Sequence, residues 1–330
     1  MNKTSPVQTQ KLLVAISVVL FVVKMLAWIL TGSVAILTDA LESTVNVIAG
    51  FVGLYSLIVS SRPKDQDHPY GHGKVEFISS AIEGTLILVA GALIIYEAIL
   101  NLWHPHALKK LDYGLILVGS TAVLNYILGH YCERKGQKEK SPILISSGVH
   151  LKSDTYSTLG LLLGIALLWF TGYNWIDSAV AILFALLIMY SGYRILRKSV
   201  SGIMDEQDDD IIAEIVAVLN EHRQARWIDV HNMRVINYAG FYHIDCHLTV
   251  PYYLNVNEGH QVLDTLTSTL TAHFQDKVEF FIHIDGCIPT EQCSICKIEN
   301  CSVRQSAFVE LLPWTPDNIL SNQKHTNKTK

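Results

Sequence analysis

Residues 34–60 read VAILTDALESTVNVIAGFVGLYSLIVS, and residues 143–171 read ILISSGVHLKSDTYSTLGLLLGIALLWFT. Both are long and apolar enough to cross a bilayer as a helix, which takes roughly 20 mostly apolar residues. Each carries a polar pair four positions apart, Glu42 with Asn46 and His150 with Asp154. Positions i and i+4 share one helix face, so each segment presents two oxygen or nitrogen donors side by side. Ionisable groups are costly inside a membrane and by default mark an ion or proton path. Two such pairs on two spans point to a four-ligand cation site. Asp39, one turn before Glu42, and Lys24 in the preceding apolar segment are candidate outer partners of that set. A purely structural reading competes with this one, in which Glu42 pairs with Lys24 and Asn46 simply bonds between helices.

Outward from these two segments, four more stretches of similar character lie at about 12–31, 79–103, 113–132 and 174–195. Half of the 330 residues are apolar, 17% are charged, and the mean hydropathy is +0.29. The long apolar runs stop near residue 200, and beyond it apolar and polar residues alternate as in a soluble domain. The first run is too long for a cleaved leader and leads directly into a second span. Basic residues cluster in alternate connections: Arg62, Lys64 and Lys74, then Arg134, Lys135, Lys138 and Lys140, then Arg194, Arg197 and Lys198. The opposite side offers only Lys109 and Lys110. By the positive-inside rule both termini are cytoplasmic. The net charge of −5 and a pI near 6.3 give no reason to expect nucleic acid as a partner.

Ligand chemistry narrows the cation. Imidazole favours zinc, iron, cobalt, nickel or copper over magnesium and calcium. Metal ligands must be deprotonated, so protons compete with the ion at Glu42, His150 and Asp154. Metal-for-proton exchange then needs no further machinery. Between the second and third spans runs Asp65-Gln-Asp-His68-Pro-Tyr-Gly-His72-Gly-Lys74. Its glycines permit tight turns that let Asp65, His68 and His72 converge on an ion. Incidental histidines in a polar turn are the alternative.

The phrase HPYGHGKVE, the preceding SVAILTDALEST and the later HLKSD resemble the cation diffusion facilitator family over about residues 12–285. The resemblance implies a homodimeric divalent metal/proton antiporter and not an enzyme. It also implies an α-helical membrane protein with six transmembrane helices and a C-terminal cytoplasmic ferredoxin-like α+β domain. Carried over by position, the transport site is Glu42, Asn46, His150 and Asp154, and the loop site is Asp65, His68 and His72. Lys74 matches a lysine that pairs with an acidic residue after span six, here Asp205. The first transport pair departs from the family pattern. Zinc members have His or Asp where Glu42 stands, and Asp where Asn46 stands. Neutral Asn46 removes a charge, which puts zinc as the main cargo in doubt.

The expected domains are 1–204 for transport, 205–286 for a cytoplasmic metal-binding and dimerising domain, and 287–330 for a cysteine-containing extension ending in a disordered tail. After MDEQDDD, the order helix, two strands around Ala-Gly, helix over 256–275 and third strand suits a small α+β layer structure. The resemblance assigns His231, His247, His260, His283 and Asp285 as ligands there; in a strand, His283 and Asp285 face the same side. Six cysteines are present, and all fall on or near the cytoplasmic side, where disulfides are rare. Four of them, Cys287, Cys293, Cys296 and Cys301, have a spacing that can build a tetrahedral metal site; four reduced thiols on a flexible extension are the alternative.

The expectation is therefore an inner-membrane exporter of divalent cations, with Zn2+ or Fe2+ foremost and manganese, cobalt and cadmium possible, driven by protons. The same ions would load the cytoplasmic domain. A membrane metal sensor or buffer without transport is the main rival. A metal-activated hydrolase is disfavoured, because no nucleophile motif accompanies the histidines.

Overall fold

The computed structural model describes residues 6–31, 34–103, 112–171, 174–275 and 277–326. For several helix residues, including 34–42, 45, 112–118 and 164–170, it describes the backbone alone. The chain divides into two compact units, Met1–Met204 and Asp205–Lys330.

Six long helices build the first unit: α1 (Pro6–Thr31), α2 (Val34–Ser60), α3 (Val75–Trp103), α4 (Asp112–Glu139), α5 (Pro142–Thr171) and α6 (Asn174–Ile203). Among the described residues, Pro6–Leu26, Val75–Leu100 and Ser178–Ile203 are long and apolar enough to cross a membrane. The packing is inverted relative to a soluble bundle. Ser56, Ser79, Ser80, Glu83, Ser146 and Ser153 are buried, while Val19, Leu93 and Leu183 are more than half exposed. Apolar side chains facing outward suit lipid, and small hydroxyls between helices let backbones approach and hydrogen-bond. Helix α3 lies along α6, α4 along α5, and α1 along α2, while α5 also touches α2 and α3. That placement sets α5 against the α2 face bearing Asn46.

The approach is closest where glycine permits it. A Cβ on Gly148 of α5 would meet the backbone of α4 at 2.6 Å (Glu133 N) and 2.7 Å (Gly129 O). The basic segment after the fourth apolar run, expected as a connection, is instead the helical end of α4. Glu, Arg, Lys and Gln are good helix formers, and the chain reverses only at Lys140, whose φ is 55°. Pro142 then opens α5, a position where its missing N–H is not needed.

The second unit runs α7 (Asp209–Glu221), β1 (Asp229–Tyr238), β2 (Phe241–Val250), α8 (Val256–Phe274), β3 (Val278–Gly286) and two short turns of helix, α9 (Pro289–Gln292) and α10 (Pro316–Ile319). Asp208 caps α7, and Asn255 with Glu258 forms a capping box on α8, so both starts are marked in the sequence. Strands β1 and β2 pair antiparallel through a two-residue turn at Ala239 and Gly240, both with positive φ, a backbone whose twist suits a hairpin. Helix α8 carries the chain over to β3, which pairs parallel to β2. Ile212, Ile215 and Leu219 of α7 and Leu266 and Leu270 of α8 bury against Val230, Ile244 and Leu248 of the sheet.

The tail corrects an expectation. Residues 314–326 are packed and not disordered, while 327–330 lie outside the described residues. Trp314 is 2% exposed and Ile319 fully buried in the same core as α7 and β1. The Arg223 guanidinium lies 3.7 Å from the Trp314 ring centre, and Asn220 donates to the Trp314 carbonyl at 2.8 Å. The Asn232 N–H, where β1 bulges, donates to the Ser321 carbonyl at 2.7 Å. A polar stretch thus folds because its few apolar groups find a ready groove.

Candidate metal centres

Asn46 of α2 stands between two groups of α5. Its Nδ2 donates to Asp154 Oδ2 at 2.6 Å, and its Oδ1 lies 2.7 Å from His150 Nε2. A carbonyl oxygen only accepts, so His150 carries a proton on Nε2 when this bond is made. His150 is 8% exposed. Three of the four expected transport ligands therefore come together across two helices. Glu42 lies one turn before Asn46 on the α2 backbone, but its side chain, like that of Asp39, falls outside the described residues. Lys24 is buried and donates to Ser43 Oγ at 2.8 Å.

Sequence reasoning missed Glu83. It is 1% exposed on α3 and accepts the Ser147 hydroxyl at 2.7 Å, one turn from His150. An acid within an apolar run was the available signal. Glu76, also buried, accepts from Ser60 at 2.8 Å and from Ser141. It ties the end of α2 to the starts of α3 and α5.

In the loop after α2, Asp65, His68 and His72 place one ligand atom each within 4.8 Å of the others. Asp65 accepts the His68 amide at 2.7 Å and lies 3.2 Å from His72 Nε2. The His68 amide bond, with both imidazoles adding to it, holds the Asp65 carboxyl below its ordinary value. Gly71, with φ +98°, supplies the turn that brings His72 back. Lys74 is half-buried at the end of this loop, and Asp205 opens the second unit at φ 56°.

The sheet register aligns three histidines in a row, His231 opposite His247 and His247 opposite His283. Ring centres are 5.2 and 4.8 Å apart. Asp285 lies 3.1 Å from His247, 3.3 Å from His283 and 3.5 Å from His231. Ligand atoms of His231, His247 and Asp285 all fall within 4.8 Å of one another. Burial pushes the Asp285 carboxyl up, but the His247 bond and the charges of Lys324 and the histidines outweigh it and leave it lowered. His260, exposed on α8 beside Asp264, is not among the converging three.

A second carboxylate, Asp229, escaped the sequence reading. It is 1% exposed and sits 3.3 Å from His231 Nδ1, leaving Nε2 to face Asp285. A carboxylate on the far ring nitrogen fixes tautomer and orientation at a metal-binding histidine. Asp229 also meets His325 of the tail at 2.6 Å. Burial raises its pKa, yet the bonds from His231 and His325 prevail and hold it well below the carboxylate range.

Cys287, Cys293, Cys296 and Cys301 line one cleft beside β3. Burial raises the thiol pKa of Cys287 and of Cys296, and the neighbouring sulfurs raise both further. Cys246 is buried in the sheet core, where desolvation pushes it up to about 12. Cys132 is buried on α4.

Residues 11–204 match the family model described as the cation efflux transmembrane domain, and residues 207–287 match that of the cation efflux protein cytoplasmic domain. An uncharacterised transporter of Synechocystis is 29% identical over 247 residues, 75% of this chain and 80% of the relative. The manganese efflux system protein MneP of Bacillus subtilis is 27% identical, covering 77% and 86%. The cation-efflux pump FieF of Shewanella oneidensis is 26% identical, covering 82% and 91%.

Proposed function

The chain belongs to the cation diffusion facilitator family, and from that premise we propose that it exports divalent transition-metal cations in exchange for protons. The carrying observation is the Asn46 bridge between His150 and Asp154, donor groups of two different helices buried inside the bundle. In this reading α1 to α6 all span the inner membrane, both termini face the cytoplasm, and the second unit pairs with its copy in a homodimer.

The ion binds by breaking the Asn46 bridge. A doubly protonated His150 gives its Nε2 proton to the cytoplasm and keeps the one on Nδ1, Asp154 turns its freed oxygens inward, and the Asn46 carbonyl and Glu42 complete the set. Release reverses this, with protons from the far side returning to His150 and to a carboxylate. Asn46 contributes no charge, so the donor set carries at most two negative charges, from Glu42 and Asp154. Such a mixed oxygen and imidazole set takes iron(II), manganese(II) and cobalt(II) as well as zinc. The manganese efflux named for one relative fits this breadth. The loop cluster and the sheet cluster, both on the cytoplasmic side, sense the metal level and bias the transport cycle. They do so only insofar as they bind one conformational state more tightly than the other.

The test is transport by the purified chain in sealed proteoliposomes, with zinc, iron(II), manganese(II), cobalt(II) and cadmium offered in turn under an imposed pH gradient. Metal movement coupled to opposite proton movement is expected. Binding without flux would replace the transporter reading with that of a membrane metal sensor or buffer.

A further inference from the structure

The family match ends at residue 287, and the cysteine segment beyond it plays no part in transport as proposed above. Residues 287–313 contain one helix of four residues and no strand among the described residues. Their apolar support is slight: Ile295, Cys296 and Leu312 bury with Ile228, and Cys287 and Ile298 pack at the edge. A segment with so small a core ordinarily needs a cross-link or a metal to hold one conformation.

Four side chains are placed to supply it. Cys287 is anchored where the sheet ends, its N–H donating to the Val250 carbonyl at 2.8 Å. Cys293 closes α9, and Cys296 follows three residues later; both are buried. Cys301 reaches the same cleft from the next turn. Arg304 clasps this loop from behind, donating to the carbonyls of Cys293 and Cys296 at 2.8 Å and of Ile298 at 2.7 Å. The Gln305 amide points at the Cys293 sulfur at 3.5 Å. Amides directed at sulfur stabilise a metal thiolate, as outer-layer bonds do at metal sites generally. The cleft lining holds no histidine or carboxylate, so the four sulfurs are its strong metal donors.

We propose that Cys287, Cys293, Cys296 and Cys301 form a closed tetrathiolate site for a single zinc-class cation, which staples the C-terminal extension to the end of the sheet. The sulfurs are more widely spaced than the donors of the loop and sheet clusters, so binding draws them inward around the ion. Four thiolates select soft or borderline cations and discriminate against manganese and magnesium. A closed four-coordinate site has no open position and serves structure, not exchange. Each thiol releases its proton as it ligates, and no electron is transferred.

Cobalt(II) reports this directly. The full-length chain, purified in detergent with reductant, is loaded with cobalt and its absorption recorded. Expected are sulfur-to-cobalt charge transfer in the near ultraviolet and intense d–d bands of a tetrahedral thiolate centre, displaced by zinc. The bands should vanish in Cys293→Ser/Cys296→Ser. They should persist in Asp154→Ala and Asp285→Ala, which separates this site from the transport and sheet sites. Absence of charge transfer in the wild-type chain overturns the proposal, whatever the fate of the double variant. So does retention of the bands in that variant, or a Cys293–Cys296 disulfide found by mass spectrometry in the reduced preparation.

Discussion

Asn46 uses both ends of its amide, one toward Asp154 and one toward His150. Aspartate at this position has no N–H to give Asp154 and sets two carboxylates side by side. Without metal the two like charges repel each other. With metal the added charge strengthens the site. Asn46→Asp is therefore expected to shift transport toward zinc over manganese(II), measured as the ratio of their fluxes in vesicles; an unchanged ratio would count against the role given to Asn46. The polar pairs on the second and fifth apolar runs were legible from their spacing. Glu83 was not, because no second ionisable residue stands three or four positions from it, and only the fold shows Ser147 and the His150 helix opposite it. Asp229 was hidden for a related reason. His231 lies two positions on along the same strand, a spacing open to sequence reading, whereas His325 is brought to it only by the tail.

Helices α4 and α5 meet at Gly129 and Gly148, and α5 is the element that carries His150 and Asp154. The Cβ of Gly148→Ala would press on backbone atoms, which cannot rotate away. The helices must separate, at about 1–3 kcal/mol for an overpacked site, and His150 two residues on moves with them. A lower unfolding temperature in detergent and reduced flux are expected. Gly119→Ala, where a Cβ meets nothing within 4 Å, should leave both intact and serves as the control. Helix periods were plain in the sequence because apolar runs need no tertiary context. The tail was misread because its apolar residues, among them Leu311, Leu312, Trp314, Ile319 and Leu320, follow no helix or strand period. The burial of Trp314 and Ile319 depends on α7 and β1, which lie about a hundred positions earlier. Trp314→Ala should destabilise the second unit by about 3–5 kcal/mol, the usual range for a buried tryptophan. Limited proteolysis of the full chain, cutting after residue 312 in the variant and not in the wild type, checks this.

The whole molecule joins an apolar bundle with hydroxyls and acids inside to an α+β unit with histidines across its sheet. The change in hydropathy near residue 200 announced two environments before any side chain was placed. What it left open was which donors converge. Three of the five expected ligands in the second unit do so; His283 flanks them, and His260 stands apart on α8. In the proposed function, metal is exchanged for protons at one buried position of the first unit. The direct measurement is simultaneous recording of metal and proton fluxes in vesicles holding the wild-type chain or Asp154→Ala. The account predicts loss of both fluxes in the variant for every cation, with metal still bound at the sheet histidines. Undiminished metal flux through Asp154→Ala would contradict it.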